Sequence, residues 1–151
     1  MPPISSPSRP ESSFATHQPA GNTLYCAAMV AAASRHGSSI ARALVQAQRR
    51  LCRKLNLPRL ITTARLAGYA EHAAAMPVEE YARRVVWGEL EDVALRFALA
   101  QGFQFCGVAR GYMPEDGESG GHAALLARLN PLHTPPQPPA SIASERRRKV
   151  A

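Results

Sequence analysis

Apolar and polar positions along the chain follow two different periods, and the places where one gives way to the other mark the elements. Leu24 to Ala33 (LYCAAMVAAA) is a continuous small and apolar run, the pattern of a strand buried on both faces, although its alanines also suit a helix. The next residues favour the strand: Ser34 to Ser39 is a polar turn containing Gly37, and a helical pattern starts directly after it. From there Ile40, Leu44, Ala47, Leu51 and Leu55 recur at spacings of three and four, while Arg42, Arg49, Arg50, Arg53 and Lys54 project elsewhere. This spacing predicts an amphipathic helix whose apolar stripe faces the core. Ser38 or Ser39 supplies its N-cap, Asn56 suits the left-handed residue at its end, and Pro58 prevents continuation. Arg59 to Arg65 is short and β-branched, so residues 24 to 65 read as a βαβ unit, two parallel strands joined by a right-handed crossover.

Met76 to Gly88 predicts a second helix, with Pro77 suited to its first turn and Glu79 and Glu80 near its positive end. Asp92 caps a third from Val93 to Gln101, and Gly102 stops it before a strand from Phe103 to Ala109. Gly111 to Gly121 is a polar loop, followed by a last strand near His122 to Leu129. The expected class is α/β, with a mixed four-stranded sheet in which the parallel βαβ unit is followed by helices and an antiparallel strand pair.

Composition adds boundaries to this picture. A chain of 151 residues has room for one ordinary domain, and its 46% hydrophobic content supports one core. The apolar residues concentrate in the middle, so residues 22–131 are expected to fold. Residues 1–21 are rich in Pro and Ser and lack apolar clustering, and residues 132–151 combine Pro135, Pro136, Pro138 and Pro139 with a basic run. Both tails are expected to be disordered. The first segment lacks the apolar stretch of a secretory signal and fits a transit peptide only in part; no window approaches a membrane span, which gives a soluble, cytoplasmic expectation. Cys26, Cys52 and Cys106 stand far apart and the histidines are scattered, so no metal site is expected. The net charge of +7 invites a nucleic-acid reading through Arg42 to Lys54 and the tail, but Arg146, Arg147, Arg148 and Lys149 alone carry four of the seven charges. The fold does not need a nucleic-acid partner to explain its balance.

The segment with most chemical content is Arg35-His36-Gly37-Ser38-Ser39-Ile40-Ala41, at the junction of an apolar strand and a basic helix. Small residues let a backbone approach a ligand, the first N–H groups of a helix point outward, and the helix dipole adds partial positive charge, so the junction suits a pyrophosphate. Arg35 and Arg42 would reinforce it.

Leu24-Tyr25 through Ala41-Arg42-Ala43-Leu44 resembles the strand, pyrophosphate loop and helix of the GNAT acyltransferase superfamily. That loop reads Gln or Arg, x, x, Gly, x, then Gly or Ala; here His36, Ser39 and Ala41 hold the three positions. Further on, Ala64-Arg65-Leu66-Ala67-Gly68-Tyr69, Glu80-Tyr81, Gly88-Glu89 and Leu95 to Phe103 look like the GNAT domain associated with nitrilase-type carbon-nitrogen hydrolases, and Tyr112, Asp116, Ser119, Gly121 and Asn130-Pro131 continue the likeness. In the residues from 132 to 151 no counterpart of that hydrolase is expected.

The resemblance implies an acyl-CoA-dependent N-acyltransferase that moves an acetyl group from acetyl-CoA to an unidentified amine. Met29 and Val30 would orient the thioester where the first strand and Arg59 to Arg65 splay apart, and Arg35, His36, Gly37, Ser38, Ser39, Ile40 and Ala41 would hold the diphosphate. Ala98 stands where many members of the superfamily carry a tyrosine acid, which leaves Tyr69, Tyr81 and Tyr112 as candidates beside a structural role for each. Glu115, Asp116 and Glu118 would attract a cationic amine or serve as solvated turn residues. A complete GNAT domain begins with three further strands and two helices, so the chain resembles a domain without its front half. An exposed first strand would then favour self-association. The other readings are a non-catalytic GNAT-fold remnant that binds acyl-CoA or a partner, and a basic nucleic-acid-binding protein.

Overall fold

A computed structural model describes residues 17–29 and 37–137. Its elements run β1 (Thr23–Cys26), α1 (Gly37–Lys54), β2 (Arg59–Arg65), a 3-10 turn (Tyr69–Glu71), α2 (Val78–Trp87), α3 (Val93–Ala100), β3 (Gln104–Ala109) and β4 (Ala123–Leu129). The four strands form one sheet in the order β1-β2-β4-β3. β1 and β2 are parallel, and β4 runs antiparallel to both β2 and β3. The expected mixed sheet with a βαβ unit and an antiparallel pair is the one observed.

Each α-helix stops by the same device. At the end of α1, Leu57 N–H bonds to Cys52 C=O and Asn56 N–H to Arg53 C=O, both at 2.9 Å, with Asn56 at φ 48°. This is a Schellman arrangement, which satisfies carbonyls that helix geometry leaves without partners. Gly88 and Gly102, at φ 81° and 82°, end α2 and α3 with the same pair of bonds. Pro77 precedes the first residue of α2 in extended conformation, and Asp92 caps α3 by accepting the Leu95 N–H at 3.2 Å.

Alternate residues of the strands separate into two faces. Leu60 and Ala64 of β2 and Ala124 and Leu126 of β4 join Val45 and Cys52 of α1, Val78, Tyr81, Ala82 and Val85 of α2, and Leu95 and Ala98 of α3 in one cluster. All three helices therefore cover the same face, where each fully buried Leu or Val contributes about 1.5–3 kcal/mol. Ile61, Leu125 and Ala127, with Tyr25 packed against them, form a smaller cluster on the opposite face.

A buried carboxylate ties the helical layer together. Asp92 is 4% exposed and accepts, besides the Leu95 cap, the Gly68 N–H at 3.2 Å and the Tyr81 hydroxyl at 3.1 Å. Gly68 is required there, because a Cβ would stand 2.4 Å from the Tyr81 hydroxyl oxygen.

Three expectations are corrected. The strand expected from Leu24 to Ala33 ends at Cys26; Ala27 to Met29 carry no regular structure, and residues 30–33 lie outside the described residues. Alanine has little β-propensity, and the exposed Ala27 and Ala28 offer no side chain to hold a strand in place. The first helix already includes Gly37, which puts Ser38 and Ser39 inside its first turn and not at its N-cap. Its core-facing residues are Val45 and Cys52, whereas Ile40 (47%), Leu44 (40%), Leu51 (43%) and Leu55 (53%) stand largely exposed. The helix is amphipathic as expected, but rotated by about one residue, or roughly 100°, from the expected orientation.

Candidate functional site

β1 and β2 pair over four positions, from Thr23↔Arg59 to Cys26↔Thr62, and then part. β2 runs on through Thr63, Ala64 and Arg65, held on its other side by β4, while the chain from Ala27 leaves the sheet. Two parallel strands thus diverge at their carboxyl ends, where crevices of parallel sheets take ligands. The Thr62 hydroxyl donates to the Cys26 carbonyl at 3.4 Å, and Gln48 of α1 donates from Nε2 to Cys26 Sγ at 3.1 Å. These contacts fix the last paired position of β1 against both β2 and the helix.

Of the residues singled out in the sequence, Met29 packs against the helical core beyond the end of β1. Gly37, Ser38, Ser39, Ile40 and Ala41 form the first residues of α1, with Ser38, Ser39 and Ile40 exposed. Val30, Arg35 and His36 lie outside the described residues. The first turn of α1 carries no acidic side chain of its own, so no residue of that turn neutralises the positive end of its dipole.

The open face of the sheet carries hydroxyls. Tyr25 of β1 hydrogen-bonds Tyr112 of the loop before β4. Burial first, then the Tyr112 hydroxyl, push the Tyr25 phenol above its ordinary value, while a hydrogen bond with Thr63 opposes them. Tyr25 is therefore neutral at physiological pH and able to donate a hydrogen bond. Neither Tyr25, Thr62 nor Gln48 was marked in the sequence, where their only signal is position one strand or helix turn from the parting point.

The candidate acids and acidic loop are more fully occupied than their sequence suggests. Tyr81 is buried, and burial followed by the Asp92 charge raises its phenol well above normal, which makes it a structural hydrogen-bond donor. The Tyr69 ring lies 5.6 Å from that of Tyr81 and its hydroxyl donates to the Met76 carbonyl at 3.4 Å. Ala98 is a core residue at 6% exposure. Asp116 and Glu118 are engaged by Arg65 of β2, whose Nη2 also meets Asp116 Oδ1 at 2.6 Å, and Ser119 donates to Asp116 Oδ2 at 2.7 Å. The Arg65 guanidinium and the Ser119 hydroxyl hold the Asp116 carboxyl well below the usual carboxylate range. The loop is thereby clamped to the same strand whose end lines the parting point.

Parallel strands that part at their carboxyl ends and are joined by a long helix, followed by two more helices and an antiparallel pair, make this a GNAT-like fold. Among solved structures, the chain is similar to the GphF GNAT-like decarboxylase in complex with isobutyryl-CoA, with a TM-score of 0.58 and 24% identity, over 76% of this chain and 59% of that one. Among curated proteins, it is 29% identical over 121 residues to the probable hydrolase YhcX of Bacillus subtilis (strain 168). That match takes in 80% of this chain and 24% of the relative, so the chain spans about a quarter of the relative's length. No family model matches the chain. Among the described residues, no helix is long and apolar enough to cross a membrane, and no group of His, Cys, Asp or Glu is placed to hold a metal ion.

Proposed function

We propose that the chain binds an acyl-CoA thioester, acetyl-CoA in the first instance, and transfers its acyl group to an amine. The observation that carries this reading is the parting of β1 from β2 after Cys26↔Thr62, taken together with a first turn of α1 that carries no acidic residue of its own. The similar GNAT-like decarboxylase was solved with isobutyryl-CoA, which supports a CoA thioester as the ligand class. In this proposal Arg35, His36, Gly37, Ser38, Ser39, Ile40 and Ala41 hold the diphosphate by backbone N–H groups and the α1 dipole. Met29 and Val30 lie along the thioester, and residues 22–131 form the binding unit.

The chemistry asks little of side chains. The amine lone pair attacks the thioester carbonyl carbon, a backbone N–H near Met29 and Val30 stabilises the oxyanion, and the carbon–sulfur bond then breaks. The amine proton passes to water, and the departing thiolate takes one in return. Tyr112, paired with Tyr25 on the open face of the sheet, is the hydroxyl donor best placed in this scheme, since Tyr81 and Tyr69 are committed within the helical layer. A cytoplasmic location and self-association through the edge strand β1 belong to the same proposal; sedimentation of the protein as a monomer at about 50 μM would remove the latter.

A second reading, an acyl-CoA-binding remnant without catalysis, is favoured by Ala98, which fills core space where an acid tyrosine stands in many members of the superfamily. One pair of assays separates the two. Thermal denaturation with acetyl-CoA tests binding, because a ligand that prefers the folded state raises the melting temperature. Release of free CoA with polyamines and amino-acid amines tests transfer. Stabilisation with release supports the enzyme, stabilisation without release supports the remnant, and no stabilisation removes both.

A further inference from the structure

Four arginines of the described chain are paired with carboxylates: Arg65 with Asp116 and Glu118, Arg84 with Glu80, Arg96 with Glu91 and Arg110 with Glu79. Arg49 and Arg53 from the last turns of α1 and Arg128 from β4 are different. They line one open cleft over Cys52 and Leu60, walled by Asn130, and among the described residues none of them forms an ion pair with a carboxylate. Three like charges held around one cleft repel one another, and an anion would relieve that repulsion.

The cleft is built, not incidental. Arg128 Nη1 donates to the Gln101 carbonyl at 2.8 Å, at the carboxyl end of α3, and a Cβ at Gly102 would stand 2.0 Å from that nitrogen. The guanidinium is thus seated against a glycine. Asn130 is fixed in turn by its Nδ2 donating to the Leu57 carbonyl at 2.9 Å and its N–H to the Pro58 carbonyl at 2.8 Å. Burial, then the charges of Arg49 and Arg53, lower Arg128 from its ordinary value, consistent with cations that crowd each other without a counterion.

We propose that this cleft is a binding site for a phosphate dianion, free or as the ester group of a small molecule. Three guanidinium groups match the charge and the multiple acceptor oxygens of phosphate better than those of a monocarboxylate. Among the described residues no aromatic side chain lines the cleft to stack a nucleobase, which favours a small phosphorylated compound over single-stranded nucleic acid. The cleft is set apart from the proposed diphosphate position: Arg49 and Arg53 lie twelve and sixteen residues along α1 from Gly37, about 18 and 24 Å at helical rise.

The test is thermal denaturation of the full chain in phosphate-free buffer at fixed ionic strength, titrated with inorganic phosphate, glycerol 3-phosphate or acetate. Inorganic phosphate is expected to raise the melting temperature by several degrees and to broaden its own phosphorus NMR line, whereas acetate does neither. An equal effect of glycerol 3-phosphate assigns the site to phosphate esters; its absence assigns it to the free ion. Arg53 is exposed, so Arg53→Gln is expected to fold, to weaken the phosphate response about tenfold and to leave any response to acetyl-CoA unchanged. In phosphate-free buffer its melting temperature should not fall, because one repelling charge is gone; Arg49→Gln provides the parallel reading. Equal responses to all three salts, or an unchanged phosphate response in both variants, would overturn the proposal.

Discussion

Helices α1 and α2 lie on the same face of the sheet, and they are spent in different ways. α2 has 10 residues and buries Val78, Tyr81, Ala82 and Val85, while α1 has 18 and buries only Val45 and Cys52. The polar side of α2 is paired, Glu80 with Arg84 within the helix and Glu79 with Arg110 just after β3. That of α1 has five cations, no acidic residue and no ion pair among the described residues. The difference separates a region that stabilises the fold, β2 through β4 with α2 and α3, from a helix whose cations form no ion pair among the described residues.

The contrast can be broken or sharpened by substitution. The largest effect is expected from Tyr81→Ala, which removes a fully buried ring from the helical core and should cost about 4 kcal/mol in denaturant unfolding. Asp92→Ala comes second at about 3 kcal/mol, since it removes the α3 cap and leaves the Gly68 N–H and Tyr81 hydroxyl without their acceptor. Equal losses from changes on the α1 stripe would erase the distinction between the two regions. Leu51→Ala, at 43% exposure, is expected to cost under about 1 kcal/mol by the same measurement.

A smaller effect is expected from pH. The Asp116 carboxyl is depressed in the folded state, so its stabilisation is complete above its ordinary value of 3.8 and is lost as pH falls below that value towards the folded one. Unfolding free energy should therefore decline from about pH 4 downward, and Asp116→Asn should flatten that acid limb while lowering stability at neutral pH. An unchanged limb in the variant would show that the Arg65 clamp contributes nothing to the loop.

Local signals were the legible part of the fold. Helix α3 can be read from Asp92 and Gly102, α2 from its acidic first turn and Gly88, and the βαβ order from the Asn56-Leu57-Pro58 stop between helix and strand. The orientation of α1 was not legible, because its most apolar stripe and the stripe that meets the sheet are adjacent. Val45 and Cys52 win because they face Leu60 and Ala64, a fact of tertiary packing that periodicity does not encode. The engagement of the acidic loop was hidden for a similar reason: Arg65, which occupies Asp116 and Glu118, lies about fifty residues earlier in the chain. At the candidate site, sequence marked the beginning of α1 and Met29. It had no means of marking Thr62, Gln48 or Tyr25, whose roles exist only once β1 and β2 are paired.

The central claim is that a CoA thioester lays its diphosphate against the first turn of α1, and one pair of melting curves tests it most directly. With saturating acetyl-CoA, the unmodified chain should melt several degrees higher. Ser39→Glu places a negative charge at the positive end of the helix, which should stabilise the unliganded protein by about 0.5 kcal/mol and weaken the response to acetyl-CoA at least tenfold. No stabilisation of the unmodified chain, or an undiminished response in the variant, would contradict the account.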